Sequence, residues 1–361
     1  MGISGVCPYG FTEDKDTVTE MESQATNINE ITIEKFINLI PKKILNKMNS
    51  EKKDLKDYKN NAEVKTVKIP DNLIKNDNSQ KEIYYHGEFN EKGEKNGIGK
   101  MIIINENNEK IFYCGIWEND ILNKGKIFYM NDEEYTGQIS NYLRDGQGEY
   151  NSENETYKGS WKNDQKDGIG LVKYKDGYEY NGKFKNNKFN GKGKLTWKDG
   201  SYYDGEFKDN FFNGMGYLEG SNKHIYSGYF KNGKFNGKGE FKWIDKLNEE
   251  KYKGSYSNGK KDGEGMFYFK NGDIFKGNWE YGKPHGEGVY ETKNRKYYGN
   301  WRQGMFMQIT EVEDKEGAEE EHFNLNFKTP DEDINFIEYI SSSSISKSIK
   351  STILASIEII K

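Results

Sequence analysis

The chain has 361 residues, 33% of them hydrophobic and 31% charged, with 40 Gly, 26 Tyr, 20 Phe and only 5 Pro. So little apolar material excludes one thick core, while so many rings exclude the aromatic-poor composition of a disordered chain. A formal charge of −5, from 54 basic and 59 acidic residues, argues against a nucleic-acid partner, whose binders carry a basic excess.

Residues 1–82 form an N-terminal extension without repeats. It begins Met1-Gly2-Ile3-Ser4-Gly5-Val6-Cys7. Gly2 is the position N-myristoylation needs, and a palmitoylated Cys7 would supply the second anchor, although Val6 stands where Ser or Thr is expected. From residue 32 to 48 the apolar residues Ile33, Phe36, Ile37, Ile40, Ile44, Leu45 and Met48 follow helical spacing, and Pro41 should end or kink the first helix. Asn49–Asn61 reads as a polar linker, and Val64–Ile74 as a short helix or connecting segment leading into the repeats.

A repeat array follows, over residues 83–305. Its unit is aromatic-x-Gly-x-aromatic, a polar stretch, then Gly-x-Gly. The clearest copies start at Tyr157 (with Gly159, Trp161, Gly168 and Gly170) and Tyr180 (Gly182, Phe184, Gly191, Gly193). Others start at Tyr203 (with Phe207), Tyr226 (Phe230), Tyr252 (Tyr256) and Phe275 (Trp279). Looser copies start at Tyr85, Tyr113 and Tyr135, and a half-unit at Tyr297 lacks the late glycines and caps the array. In a strand, alternate residues share a face, so Tyr157, Gly159 and Trp161 point the same way. Asn190-Gly191, Asn213-Gly214 and Asp167-Gly168 read as the ends of turns, and the paired glycines after them as room for facing rings. Asp176-Gly177, Asp199-Gly200 and Asn271-Gly272 read as the turns between units.

These nine units and a half resemble the MORN (membrane occupation and recognition nexus) repeat family. The resemblance and the alternation together imply an all-β fold: a single-layer, curved antiparallel β-hairpin ribbon with short helical flanks. Nine two-stranded units would span on the order of 85 Å. The resemblance also implies a binding role. Some family members carry a phosphoinositide kinase or SET-domain methyltransferase, and this sequence shows no counterpart of either.

Residues 306–330 read as an acidic linker (Glu311, Glu313, Asp314, Glu316, Glu319, Glu320, Glu321), solvated by its own charge. Residues 331–361 form an amphipathic helical tail, with Ile345, Ile349, Ile353, Leu354, Ile357 and Ile360 on one stripe. Such a stripe needs a cover.

No catalytic constellation stands out. The Gly-x-Gly pairs never extend to GxGxxG or GxxxxGK[ST], and no Ser or Cys sits in a nucleophile motif. The two cysteines lack CxxC spacing and the four histidines lack HxxxH spacing, so neither metal nor cofactor is expected. The expected function is a non-catalytic scaffold or adaptor at the cytoskeleton or membrane cortex, as in cilia. Its binding surface would be an aromatic groove made by Tyr157, Trp161, Tyr180, Phe184, Tyr203, Phe207, Tyr226, Phe230, Tyr252, Tyr256, Phe275 and Trp279. Rings of this kind suit helical segments of protein partners, including residues 33–48 and 345–360 of the chain itself, and a homodimer is a further expectation. The alternative is a cytoplasmic, peripheral membrane adaptor that holds phosphoinositide or other anionic lipid directly or through acylated Gly2 and Cys7. Its direct candidates are Lys183, Lys185, Lys188, Lys192 and Lys194. An accessory subunit of an enzyme is the more distant one.

Overall fold

The computed structural model describes residues 29–49, 63–69, 82–221, 224–245, 248–317 and 329. The expected lipidation sites Gly2 and Cys7 and the stripe from Ile345 to Ile360 lie outside them. The fold is all-β, built from antiparallel hairpins joined edge to edge. It divides into two compact units at Gly170/Leu171.

The first unit opens with β1 (Asn29–Glu30), α1 (Ile33–Asn38), α2 (Lys42–Asn49) and β2 (Glu63–Ile69). Thr32 caps α1 through its hydroxyl, which accepts from Lys35 N–H. Pro41 separates the two helices, as its missing N–H requires. Where a short helix or connecting segment was expected from Val64, the chain forms β2, paired with β1 and with the first repeat strand. Val64, Thr66, Val67 and Ile69 are β-branched, and a partner edge was available to them.

Four hairpins follow: β3–β4 (Glu82–Phe89, Lys95–Ile104), β5–β6 (Lys110–Glu118, Ile121–Tyr129), β7–β8 (Glu134–Ser140, Leu143–Asn151) and β9–β10 (Glu155–Lys162, Gln165–Tyr174). The last four residues of β10 belong to the second unit. That unit continues with β11–β12 (Glu179–Lys185, Lys188–Thr196), β13–β14 (Tyr202–Lys208, Phe211–Glu219) and β15–β16 (Ile225–Lys231, Lys234–Asp245). It ends with β17–β18 (Asn248–Ser257, Lys260–Tyr268), β19–β20 (Ile274–Glu280, Lys283–Glu291) and β21–β22 (Arg295–Arg302, Met305–Asp314).

Hairpin register comes from the turns. Asn186-Asn187, Asp209-Asn210 and Asn163-Asp164 hold two successive positive φ angles, the two-residue turn whose twist matches paired strands. Asn190-Gly191 and Asn213-Gly214 are therefore not turns. They lie inside β12 and β14, and Gly191 takes a φ of +89° within the strand. The turns between units are where the sequence puts them: Gly177, Gly200 and Gly272 each donate to the carbonyl three residues back. Several hairpin turns also grip the preceding hairpin. Asn210 donates from its backbone N–H to Phe189 O (3.0 Å), and its side-chain oxygen accepts from Phe189 N–H (2.7 Å).

Glycines run straight across each unit. In the second, Gly182, Gly193, Gly205, Gly216, Gly228 and Gly239 sit opposite one another strand after strand, and the row continues to Gly299. The chain expected to become linker after residue 305 instead forms β22, so the half-unit is a complete hairpin. Glu313 and Asp314 belong to that strand and pair with Lys296 and Arg295. An acidic run beside a basic strand loses its repulsion, which the sequence pattern alone does not weigh.

One buried group in the first unit titrates. His86 on β3 is 8% exposed, and its Nδ1 lies 2.8 Å from the Thr66 hydroxyl. Burial, with Lys100 nearby, pushes its pKa down to about 4. The neutral form is thus favoured on folding: between about pH 6.5 and 4 the unfolded chain takes up a proton that the folded one refuses. Stability of this unit should fall through that window by up to about 3 kcal/mol. Urea unfolding at pH 7.5 and 4.5 checks this, and His86→Asn should remove most of the difference.

Candidate functional site

The rings expected to form a groove occupy one face of the sheet. Tyr180 lies over its own strand's Gly182 and over Gly193 of β12; an added Cβ at Gly193 would meet its Cε2 and Cζ at 2.6 Å. The ring is fixed at its tip. A bulge between Gly182 and Phe184 leaves the Lys183 carbonyl out of the ladder, and the Tyr180 hydroxyl donates to it at 2.9 Å. The same bond, from tyrosine hydroxyl to the carbonyl three residues on, recurs at Tyr85, Tyr135, Tyr157, Tyr203, Tyr226 and Tyr252. Burial raises the pKa of Tyr180 and Tyr203, so both stay protonated donors.

Each such tyrosine is boxed in. Phe184 meets Tyr180 edge-on at 5.1 Å, Phe207 of the next hairpin does so at 5.1 Å, and Phe189 stacks flat on it at 3.8 Å. Tyr203 repeats the arrangement with Phe207, Phe230 and Phe212, and Tyr226 with Phe230, Tyr256 and Phe235. All twelve groove candidates are buried, none more than 4% exposed. The expected aromatic groove is thus filled, and these rings present no open surface to a partner. The rings, the glycine row beneath them and the lids above them form the core of a single-layer sheet.

The lids escaped the sequence reading, though their position is regular. Two residues before the positive-φ glycine of a hairpin's second strand stands Phe189, Phe212 or Phe235, Pro284 in β20, or else a cation. Lys261 sits 4.8–5.6 Å from the rings of Trp243, Tyr252, Phe267 and Trp279 and is 1% exposed. Arg144 lies 4.2 Å from Trp161 and bonds Asp164 from its Nε at 3.0 Å. Lys166 covers Tyr157 at 5.1 Å, and burial lowers its pKa against the pull of Glu155. These cations complete the core by resting on ring faces.

The opposite face differs. In the first unit it carries the helices: Phe36, Ile40, Ile44 and Met48 pack on Tyr84, Ile102, Ile104, Phe112, Cys114 and Phe128. By strand alternation these sheet residues point away from Tyr85, Met101 and Tyr113. Lys43 pairs with Asp132, and Lys110 Nζ donates to Leu39 O at 3.2 Å, tying the helices down. The chain's own helical segment therefore rests on the sheet, but on the face away from the rings.

In the second unit the same face holds an open hollow of about 1170 Å³. Its floor includes the backbone of the glycine row, from Gly228 to Gly299, and its walls include Met215, Tyr229, Met266, Val289 and Tyr298. Met215 and Tyr229 are about half exposed, at 47% and 51%. Three lysines (Lys238, Lys253, Lys276) alternate with four glutamates (Glu240, Glu264, Glu287, Glu311) along it. The lysines proposed for anionic lipid, Lys183, Lys185, Lys188, Lys192 and Lys194, are exposed. Lys188 pairs with Asp209, and Lys194 lies 4.1 Å from the Tyr202 ring. Among the described residues, no helix is long and apolar enough to cross a membrane, and no three His, Cys, Asp or Glu gather as a metal site.

The MORN repeat profile matches residues 135–156, 157–177, 180–202, 203–224, 226–247, 252–274 and 275–295. A search of curated proteins found no significant match. The profile leaves out the units at Tyr85 and Tyr113, yet their hairpins keep the glycine register, Gly87 opposite Gly99 and Gly115 opposite Gly125. MORN repeats are generally non-catalytic and serve protein or membrane association. With seven consecutive repeats from residue 135 to 295, folded as hairpins on one glycine register within each unit, the chain is a MORN-repeat protein.

Proposed function

We propose that the protein is a non-catalytic scaffold, and that the face opposite the rings holds a helical segment of a protein partner at the cytoskeleton or membrane cortex. One observation carries this reading: in the first unit that face already holds a helix pair, α1 and α2. The second unit offers the same face uncovered by any described residue. Its hollow is lined from Met215 on β14 to Glu311 on β22. Nine strands at about 4.8 Å spacing make it on the order of 40 Å long, the length of a helix of roughly 25 residues. That is far longer than a small-molecule pocket. Half-exposed Met215 and Tyr229 supply adaptable apolar contact, and the alternating lysines and glutamates supply register.

The charge balance in the hollow, three lysines against four glutamates, gives an anionic headgroup no advantage there. The lipid-adaptor reading rests instead on the exposed lysines of β11 and β12. A photoreactive amino acid placed at Met266 distinguishes the two. A defined protein should be captured, and its yield should collapse when Val289→Lys is added. Lipid capture at Met266, with flotation on phosphoinositide vesicles that Val289→Lys does not alter, would favour the membrane adaptor.

A further inference from the structure

The ring face is closed by succession: Phe207 covers Tyr180, Phe230 covers Tyr203, and Trp301 covers Phe275. β22 has no successor among the described residues; it pairs with β21 on one side, and its outer edge pairs with no described strand. Ile309 and Val312, opposite Gly299 and Tyr297 and so on the ring side, are each 46% exposed. A long strand edge with exposed apolar residues is a template for another strand. The sequence that follows has the pattern of one. Phe323, Leu325 and Phe327 alternate with Asn324 and Asn326, ending at Lys328. The chain turns after β22, with Gly317 at a φ of +78°.

We propose that residues 322–328 of the same chain lie antiparallel along the outer edge of β22, placing Phe323, Leu325 and Phe327 over Ile309 and Val312. This strand takes the place of the missing next repeat and closes the array. Fewer than ten residues separate it from Asp314, so its effective concentration at that edge reaches ~mM, which a second copy of the protein would have to exceed. The inference is independent of the partner-binding reading, since it concerns the edge and not the hollow.

Hydrogen exchange on the full-length protein tests it. In the triple variant Phe323→Ser, Leu325→Ser, Phe327→Ser, amides of residues 306–312 should exchange at least tenfold faster, while β13–β16 stay unchanged. The variant Asn324→Ser, Asn326→Ser should behave as the parent. Leu325→Pro, which blocks ladder pairing by itself, gives the same reading should the triple variant fail to express. Unchanged exchange of residues 306–312 in these variants overturns the proposal. So does protection in the parent that rises with protein concentration alongside a dimeric mass by light scattering, because a second copy would then occupy the edge.

Discussion

Gly193→Val should destabilise the second unit by about 3 kcal/mol, near the upper end for overpacking a well-filled core. A Cβ there lands 2.6 Å from Tyr180 Cε2 and Cζ. The ring has nowhere to go: its hydroxyl is bonded to Lys183 O, Phe189 lies flat on it, and Phe184 and Phe207 close its edges. Gly182 and Gly205 flank Gly193 on either strand, so the backbone has no slack to trade. Gly191→Ala should cost less, about 1–2 kcal/mol, and for another reason: its φ of +89° is unfavourable to any residue with a Cβ. Lys192→Val, exposed on the opposite face, should be nearly neutral. Urea unfolding followed by tryptophan fluorescence ranks the three. Equal effects of Gly193→Val and Lys192→Val would refute the ring-over-glycine arrangement.

Phe36→Ala should cost about 3–5 kcal/mol of helix docking. Phe36 is fully buried, its ring 5.7 Å from that of His86, and it anchors the α1 end of the apolar stripe. The polar ties, Lys43 to Asp132, Lys47 to Glu134 and Lys110 Nζ to Leu39 O, are exposed or part-buried and contribute little. The expected result is therefore detachment. Amides of Ile44–Met48 should lose hydrogen-exchange protection while those of β7 and β8 keep theirs. Retained protection of α2 would mean that the apolar stripe does not hold the helices to this face.

The repeat and the all-β fold were legible because tyrosine and glycine recur at fixed offsets, and only strand alternation puts Tyr180, Gly182 and Phe184 on one face. The helix break at Pro41 was legible for a similarly local reason. The turns between units were legible too, but the hairpin turns close a few residues earlier than their Asn-Gly ends suggest. Asn186-Asn187 and Asn190-Gly191 have equal turn chemistry, and only pairing decides which reverses the chain and which bends a strand. The accessible surface was misplaced because rings look like contact area until their covers are counted. A signal for the covers was present: Phe-Asn-Gly recurs at residues 189–191, 212–214 and 235–237. The cation lids sit in a matching triplet, Arg-Asp-Gly at 144–146 and Lys-Asp-Gly at 166–168 and 261–263, but Lys-Asp-Gly is also the turn at 175–177 and 198–200, and a charged residue inside a ring cluster contradicts its usual exposure. The hollow itself is made of ordinary outward residues, and curvature over several strands, which no local pattern encodes, brings them together.

The most direct test of the account is hydroxyl-radical footprinting of the full-length protein, alone and in its native assembly. Alone, Tyr229 and Met215 in the hollow should be oxidised readily, and Tyr180, Tyr203, Tyr226 and Tyr252 on the sealed ring face should stay unmodified. In the assembly, oxidation of Tyr229 and Met215 should fall severalfold while the ring-face tyrosines remain silent. Ready oxidation of the ring-face tyrosines in the free protein, lost on assembly while Tyr229 and Met215 stay reactive, would contradict the account and return the binding surface to the rings.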